Sequence, residues 1–277
     1  MIPVIDFHTH PLVNFLSFRE SVLKWARTLH PDFDGFVNTY KDPAAFVEYL
    51  ESCGVDYAVV LAETNPAVTG SCTNEEVFKF CANQAKLIPF ASINPYLDPE
   101  PGRLLEYLVC EQGFKGVKLY PTYQYFYPND RMVYPLYAKA ESLQVPVMIH
   151  TGSSVFKGAR LKYGDPLYLD DVAVDFPSLS LILVHGGRGF WYDKAFLLSR
   201  LHPNVYLEVA GLPPQKLLEY FPDLEHNGEK IIFGSDWPGV KDIKQNIEKI
   251  KSLSLNEITI GNILGGNAAG LLHLGLE

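Results

Sequence analysis

Short, continuously apolar runs alternate along this chain with stretches in which apolar residues recur at helical spacing. Strands that are covered on both faces are apolar throughout, so these runs indicate the strands of a buried parallel sheet. The predicted strands are residues 3–5, 55–61, 87–93, 116–119, 145–149, 181–184, 205–207 and 230–233. The predicted helices are residues 18–29, 42–50, 73–84, 98–111, 130–143, 167–175, 193–200, 213–220, 240–253 and 256–272.

The alternation of strands and helices predicts the fold. About eight strands alternate with helices over 277 residues, and this order predicts a (β/α)₈ barrel, a fold of ~250 residues. A doubly wound open sheet is the alternative, but it usually carries a glycine-rich phosphate loop after its first strand. Here that position holds His8-Thr9-His10-Pro11. No repeat or linker interrupts the pattern, so we expect a single domain over residues 1–277.

Composition narrows the class of protein. With 47% hydrophobic and 20% charged residues, the chain is typical of globular proteins. The net charge of −9 disfavours nucleic acid and anionic membranes as partners and leaves a small molecule as the expected substrate. The four cysteines form no CxxC pair, and we see neither a secretory leader nor a bilayer-length apolar run. We therefore expect a cytoplasmic protein, and its acidic surface is compatible with a homodimer.

Polar residues stand where the predicted strands end. In barrels of this kind the carboxyl ends of the strands form one face, and that face carries the chemistry. A single polar residue after a strand is often no more than strand termination. Four histidines and an aspartate directed at one barrel mouth indicate a functional site. The residues at the strand ends are His8, His10, Lys118, His150, His185, Glu208 and Asp236.

The residue types at these strand ends suit a metal. Side chains alternate along a strand, so His8 and His10 point to the same side and can form half of a metal site. Three imidazoles and one carboxylate suit a divalent ion such as Zn²⁺, with one coordination position left for water. A further histidine at the rim can act as a general acid or base near neutral pH.

Five motifs occur in a specific order, namely IDFHTH, MIHTG, LVHGG, FGSDWP and ILGGNAAGLL. With these motifs the chain resembles the amidohydrolase superfamily over residues 2–272. It is most similar to the amidohydrolase-related (amidohydrolase 2) branch, which includes aminocarboxymuconate semialdehyde decarboxylase and resorcylate decarboxylase. The resemblance implies one catalytic divalent metal, with zinc expected and manganese or iron as alternatives. The ligands that it implies are His8, His10, His150 and Asp236.

The resemblance also implies roles beside the metal. His185 is expected to be the catalytic acid or base of a mononuclear site. In binuclear relatives this histidine binds a second ion, and a lysine after the fourth strand, here Lys118, is carboxylated to bridge the two ions. We expect one ion, with Lys118 pairing instead with Glu208 or a substrate carboxylate. In a hydrolase Asp236 both holds the metal and takes the proton from the attacking water, whereas in a decarboxylase it holds the metal while the ion orients the substrate.

Aromatic and basic residues near the strand ends are candidates for a substrate pocket. Arg188 can hold a substrate carboxylate through two hydrogen bonds or can form a salt bridge at the rim. Trp237 is expected in the pocket wall. The loop after the fourth strand can line a pocket for a flat organic acid or can simply cover the rim. Its aromatic residues are Tyr120, Tyr123, Tyr125, Phe126 and Tyr127.

The expected function is metal-dependent hydrolysis, in which a water activated by the metal attacks an ester, lactone or amide carbonyl of a small organic acid. The alternative is non-oxidative decarboxylation of an aromatic or unsaturated acid at the same metal. There, His185 or bound water would protonate the carbon that loses CO₂. A third hypothesis, from another class, is a non-catalytic barrel that has kept its metal site.

Overall fold

The computed structural model describes residues 2–240 and 242–275. Eight parallel strands form one sheet in the order β1-β2-β5-β6-β7-β8-β9-β10, and β3 and β4 form a separate antiparallel hairpin. The strands are β1 (Ile5–Thr9), β2 (Tyr57–Leu61), β3 (Glu63–Asn65), β4 (Gly70–Cys72), β5 (Leu87–Ser92), β6 (Val117–Leu119), β7 (Val147–His150), β8 (Leu181–Val184), β9 (Val205–Glu208) and β10 (Ile231–Ile232).

The last strand returns to the first and closes the sheet. The Phe7 amide donates a hydrogen bond to the Phe233 carbonyl (3.1 Å), and the Asp236 amide donates one to the His8 carbonyl (2.9 Å). The carboxyl group of Asp6 joins the same two segments, because its Oδ1 accepts a hydrogen bond from the Ser235 amide (2.8 Å). The predicted (β/α)₈ barrel is therefore confirmed, and the doubly wound open sheet is excluded.

Helices surround the barrel, and several begin at the caps that the sequence provides. Asp42 accepts a hydrogen bond from the Ala45 amide, and Thr73 forms a capping box with Glu76. The helices are α1 (Glu20–Leu29), α2 (Phe33–Tyr40), α3 (Pro43–Ser52), α4 (Asn74–Cys81), α5 (Pro101–Cys110), α6 (Pro121–Gln124), α7 (Tyr134–Leu143), α8 (Tyr168–Asp175), α9 (Tyr192–Leu201), α10 (Leu217–Tyr220), α11 (Ile243–Lys251), α12 (Glu257–Gly261) and α13 (Asn267–Leu271).

Five features differ from the predicted elements. Strand β1 extends past Ile5 to Thr9, and its polar side chains are buried. Only His8 lines the barrel mouth, whereas Asp6 and Thr9 form hydrogen bonds with neighbouring segments. Helix α2, the short helix α6 and the β3–β4 hairpin lie in segments to which no element was assigned. The C-terminal helix is divided by a π-helical segment at Asn262–Gly266. A side chain at Gly265 would collide with the Pro3 carbonyl, so glycine permits this close packing on β1.

Buried side chains form two main layers, which alternate along the strands. Met148 belongs to the inner cluster, whereas its neighbours Val147 and Ile149 pack with the surrounding helices. The inner cluster fills the barrel below the strand ends. A β-bulge between Asp6 and Thr9 shifts the register of β1 by one residue. Bulges re-aim side chains, and here Phe7 joins the inner cluster while the next residue, His8, lines the cavity above it.

In the part of the chain that the structure describes, no helix combines the length and the hydropathy needed to cross a membrane.

Candidate metal centre

A cavity of about 370 Å³ opens at the carboxyl ends of the strands. It contains six of the seven predicted strand-end residues, while Glu208 lies just beneath its floor. Aromatic side chains and the segments before α1 and after β7 form its walls, and a volume of this size suits a small organic ligand. The polar residues in contact with the cavity are His8, His10, Glu63, Thr69, Lys118, His150, Ser153, Ser154, His185, Arg188 and Asp236.

Three of the predicted ligands converge closely. The Nε2 atoms of His8 and His10 lie 3.2 Å apart. Asp236 Oδ1 lies 3.4 Å from the first of these nitrogens and 3.7 Å from the second. Two imidazole lone pairs and a carboxylate oxygen directed at a common point repel one another unless a cation or a proton lies between them. This donor set fits a divalent metal ion.

A hydrogen bond fixes the orientation of His8. Its Nδ1 donates to Glu208 Oε1 at 2.7 Å, which leaves Nε2 free to bind a metal. The other carboxyl oxygen, Oε2, accepts a hydrogen bond from the His185 amide at 3.1 Å. Burial raises the pKa of Glu208 to about 8. The sequence suggested Glu208 only as a partner for Lys118, whereas the structure makes it the residue that orients His8.

His150 and His185 complete the ring of imidazoles, with their centroids 4.8 Å apart. His150 Nε2 is buried and has no hydrogen-bond partner within residues 2–240 and 242–275, which suits a metal ligand. His185, however, also lies within reach of a metal. Its ring contributes to a group of three ligand atoms that lie within 4.8 Å of one another, and the other two atoms belong to His8 and Asp236. The structure thus brings together all five residues that were predicted for the metal and the acid–base role.

Both candidate catalytic residues have left-handed backbone conformations, with φ of +63° at His185 and +69° at Asp236. His185 Nδ1 donates to the Ala210 carbonyl at 2.8 Å, so its Nε2 is a proton acceptor at the cavity. Burial, followed by the charge of Arg188, lowers the pKa of His185 well below its usual range. Burial raises the pKa of Asp236, but His8, His10 and Arg188 together lower it to about 2.

Lys118 and Arg188 supply the positive charges of the cavity. Lys118 is completely buried, and in the described segments its Nζ has neither a hydrogen bond nor an ion pair. The expected pair with Glu208 does not form, because Glu208 is bonded to His8. Arg188 Nη2 donates to the Ser153 carbonyl at 3.1 Å, and its Nη1 lies 3.9 Å from Asp236 Oδ2.

Two of the five predicted loop aromatics line the cavity. Tyr120 donates to the Ala62 carbonyl (2.9 Å), and the hydroxyl of Tyr123 is hydrogen-bonded to Ser154 Oγ (2.9 Å). Tyr125, Phe126 and Tyr127 do not contact the cavity. Tyr125 and Tyr127 pack on Tyr163, and Phe126 is buried in the core around the barrel.

The expectation that Trp237 forms part of the pocket wall is wrong. Its side chain is completely buried and does not contact the cavity. It packs instead on Phe46, with ring centroids 4.6 Å apart, and on Phe36 at 5.5 Å. The backbone turn at Asp236 directs the aspartate to the cavity and the next side chain into the layer beneath α2 and α3.

Glu63 and most of the cavity wall were not predicted from the sequence. Glu63 begins the β3–β4 hairpin, and its Oε2 lies 3.6 Å from His10 Nδ1. Because Glu63 follows β2 by two residues, the strand-end rule that found the other polar residues applies to it as well. The apolar wall, in contrast, comes from segments far apart in sequence and gave no comparable signal. Its members are Phe15, Phe18, Val22, Trp25 and Phe156.

The fold and these site residues define a barrel protein with a candidate metal centre at its mouth, and comparison with known proteins identifies the family. Residues 5–274 match the Amidohydro_2 (amidohydrolase) family. The chain therefore belongs to the amidohydrolase family, as its motifs indicated.

Three curated relatives are similar in sequence. Gamma-resorcylate decarboxylase of Rhodococcus jostii is 25% identical over 73% of this chain and 75% of its own length. A 2-keto-4-carboxy-3-hexenedioate hydratase of Sphingobium is 28% identical over 49% of this chain and 47% of its own. A 2-amino-3-carboxymuconate-6-semialdehyde decarboxylase of Dictyostelium discoideum is 25% identical over 60% and 55%. The chain spans about half the length of the last two.

Solved structures share the barrel. An uncharacterized TIM-barrel protein from Bordetella bronchiseptica is similar with a TM-score of 0.79 and 24% identity, covering 98% of each chain. The 5-carboxyvanillate decarboxylase of Novosphingobium aromaticivorans, in complex with manganese and a nitrobenzoic acid, has a TM-score of 0.73 and 12% identity, covering 98% of this chain and 96% of its own. At these identities the similarity concerns the fold.

Proposed function

We propose that this protein is a metal-dependent decarboxylase of small aromatic or unsaturated acids. Two of its three curated relatives are decarboxylases, and none is a hydrolase. This finding favours the alternative of the sequence analysis over the hydrolysis that was expected first. Membership of the amidohydrolase family supports hydrolysis only at the level of the whole superfamily.

The observation that carries the proposal is the position of Arg188 beside the metal ligands in an aromatic cavity. Its guanidinium lies 3.9 Å from Asp236 Oδ2 and forms part of the cavity wall. A carboxylate held by Arg188 would therefore lie next to the proposed metal position. The rings of Tyr123, Trp25 and Phe156 form walls that suit a flat, conjugated acid.

Four residues would hold the ion, namely His8, His10, His150 and Asp236. A divalent ion bound there acts as a Lewis acid and stabilises negative charge that develops on the substrate. The donor set of three imidazoles and a carboxylate suits borderline ions. Zinc and manganese are both candidates, since manganese is present in the 5-carboxyvanillate decarboxylase structure.

His185 is the proposed acid–base residue. With Nδ1 donating to Ala210, its neutral ring can accept a proton at Nε2 from a substrate hydroxyl or from solvent. As the bond between the substrate carbon and its carboxyl group breaks, the electron pair stays on that carbon and CO₂ leaves. The proton at Nε2 then adds to the carbon, and the ring of His185 returns to its neutral form. Proton transfer by a positioned group contributes ~10²–10⁴-fold to a rate.

A panel of hydroxybenzoates and unsaturated acids, assayed side by side with esters and lactones, tests this proposal. We expect CO₂ release with a subset of the acids. His185→Asn should lower that rate by ~10²-fold or more while the metal content stays the same. The control is the exposed His226→Asn, which should retain full activity. Ester or lactone hydrolysis without CO₂ release would contradict the proposal in favour of hydrolysis, and bound metal without any turnover would favour a non-catalytic barrel.

A further inference from the structure

The buried amine of Lys118 lacks a hydrogen-bond partner among the described residues. It lies on β6 and contacts the cavity, with no exposed surface. An unpaired ammonium group in the interior is costly, and buried charges are normally paired or bound to a ligand. A methionine or leucine would fill this position without that cost. The amine therefore needs a partner that the protein itself does not provide.

The carboxyl groups around Lys118 are already engaged elsewhere. Glu208 accepts hydrogen bonds from His8 and from the amide of His185. Glu63 accepts hydrogen bonds from Asn65 (3.0 Å) and from the hydroxyl of Thr69. The ring of Tyr120 lies 5.2 Å from Nζ and gives the ammonium a weak cation–π contact, but it accepts no ion pair. The missing partner is therefore an anion that enters through the cavity.

Arg188 is a second cationic group on the same cavity. Lys118 is on β6 and Arg188 follows β8, and β7, which ends in His150, lies between these strands in the sheet. The guanidinium has five N–H donors, and its Nη2 bonds to Ser153. Two cationic groups thus flank the strand end of His150, on the two sides of one predicted metal ligand.

We propose that Lys118 and Arg188 bind two acidic groups of a single substrate, so that the substrate is a small conjugated acid with two anionic groups, such as an aromatic dicarboxylate. This inference rests on the proposed decarboxylase function. The group at Arg188, beside the metal ligands, is the one that leaves as CO₂. The group at Lys118 stays on the product and holds the molecule in a fixed position during the reaction.

Equilibrium binding of two probes to the metal-loaded protein tests this assignment. The probes are benzene-1,3-dicarboxylate and benzoate, which differ by one carboxylate and lack a ring hydroxyl. Hydrogen bonds to charged groups contribute ~1.5–3 kcal/mol, so we expect the dicarboxylate to bind at least about tenfold more tightly. Lys118→Met should abolish this difference by weakening the binding of the dicarboxylate. The matched control is Lys115→Met, the same substitution at an exposed position three residues earlier, which should keep the difference.

Folding and metal content are measured on the same samples. Methionine matches the length of the lysine stem, so Lys118→Met should fold with an equal or higher melting temperature, and Lys118→Gln provides a second neutral variant. Loss of the preference for the dicarboxylate in both variants, at unchanged metal content, supports the inference. Retention of the preference in either variant, or its absence in the unaltered protein, would overturn it. A drop from two bound ions to one in Lys118→Met would overturn it too, because Lys118 would then bridge two metals.

The outcomes separate the inference from the function on which it rests. A preference for the dicarboxylate that depends on Lys118, without CO₂ release from any acid, supports the two-anion site and contradicts the decarboxylase proposal. CO₂ release from acids with one anionic group, at rates that Lys118→Met does not change, supports the decarboxylase proposal and overturns the inference.

Discussion

His8 and Glu208 are 200 residues apart in sequence, and they form a buried hydrogen bond of 2.7 Å between Nδ1 and Oε1. This bond determines which nitrogen of the ring faces the other ligands. It also explains why an acidic side chain is tolerated in the interior, since its other oxygen is bonded to the His185 amide. Glu208 thus positions both the first predicted ligand and the backbone of the predicted acid–base residue.

Glu208→Gln should weaken metal binding without unfolding the barrel. The glutamine carbonyl still accepts the hydrogen bond from His8, but the carboxylate that makes the imidazole more basic is lost. Substitutions of such outer-shell partners cost ~10–100-fold in metal affinity. Competition with a chromophoric chelator measures the change. Glu219→Gln, on the surface, is the matched control, and an unchanged affinity in Glu208→Gln would contradict the role given to Glu208.

Glu208 should make the metal-free protein less stable, relative to Glu208→Gln, as the pH rises from about 4.5 to about 8. Burial raises the pKa of Glu208 from 4.5 to about 8, so in this window the unfolded chain releases a proton that the folded protein retains. Rising pH therefore removes the stabilising contribution of Glu208. The buried His8, His150 and His185 contribute with the opposite sign below pH 6.5, because burial lowers their pKa values. Chelator-treated protein, unfolded with urea at several pH values, provides the measurement.

The difference in pH dependence between the unaltered protein and Glu208→Gln gives the contribution of Glu208 alone, since the other titrating groups are common to both. Asp6 remains, and burial raises its pKa from 3.8 to about 7, so its contribution has the same sign. A slope in Glu208→Gln equal to that of the unaltered protein would show that Glu208 ionises normally in the fold.

Metal content should depend on the converging donors. His8→Ala removes a donor from the cluster in which His8 Nε2 and Asp236 Oδ1 lie 3.4 Å apart, and Asp236→Asn removes its negative charge. We expect near-stoichiometric metal in the purified protein and a large loss in both variants, measured by elemental analysis. His226→Ala, an exposed histidine, should retain the metal. Full metal content in both ligand variants would exclude this site as the metal centre.

Substitutions of two tryptophans should have different effects, one on the stability of the fold and the other on substrate binding. Trp237 is completely buried against Phe46, so Trp237→Ala should lower the free energy of unfolding by ~3–5 kcal/mol. Trp25 lines the cavity and packs on Phe156 at 5.1 Å. Trp25→Ala should raise KM with a smaller loss of stability. Urea unfolding and steady-state kinetics distinguish the two, and a mild effect of Trp237→Ala would contradict its place in the core.

Gly234 is required because the backbone passes close to the His8–Glu208 pair. An added Cβ would lie 2.8 Å from the Cβ of His8 and would collide with Glu208 Oε1. Gly234→Ala should therefore displace that pair and cost ~1–3 kcal/mol, together with metal affinity. Gly270→Ala, where nothing lies within 4 Å of the added atom, should be neutral or slightly stabilising. Thermal melting with and without metal compares the two variants.

The parts that could be predicted from sequence were those that rest on local patterns. Apolar runs located the eight barrel strands, and the strand-end rule located His8, His150 and Asp236, because the direction of parallel strands brings their ends to one face. The same reasoning failed for Trp237. It is adjacent to Asp236, but a left-handed turn separates the directions of the two side chains, and this turn has no sequence pattern of its own.

Other features depend on contacts between distant segments. The bond between His8 and Glu208 and the wall formed by Trp25 and Phe156 exist only after the barrel has closed. The charge of Lys118 gave no sign that its amine would be buried without a partner. Charge and hydropathy along the chain show which residues are unusual, but pairing is decided by tertiary packing.

The joining of the first strand to the last has a consequence for biosynthesis. The donor atoms of the proposed metal centre come from residues 8 to 236, so a growing chain cannot assemble the site until nearly all of it has left the ribosome. Until then, a metal ion meets at most the His8–His10 pair, which offers only half of the donor set. An ion that binds all the proposed donor atoms therefore meets the finished cavity, in which their spacing is fixed, and not the nascent chain.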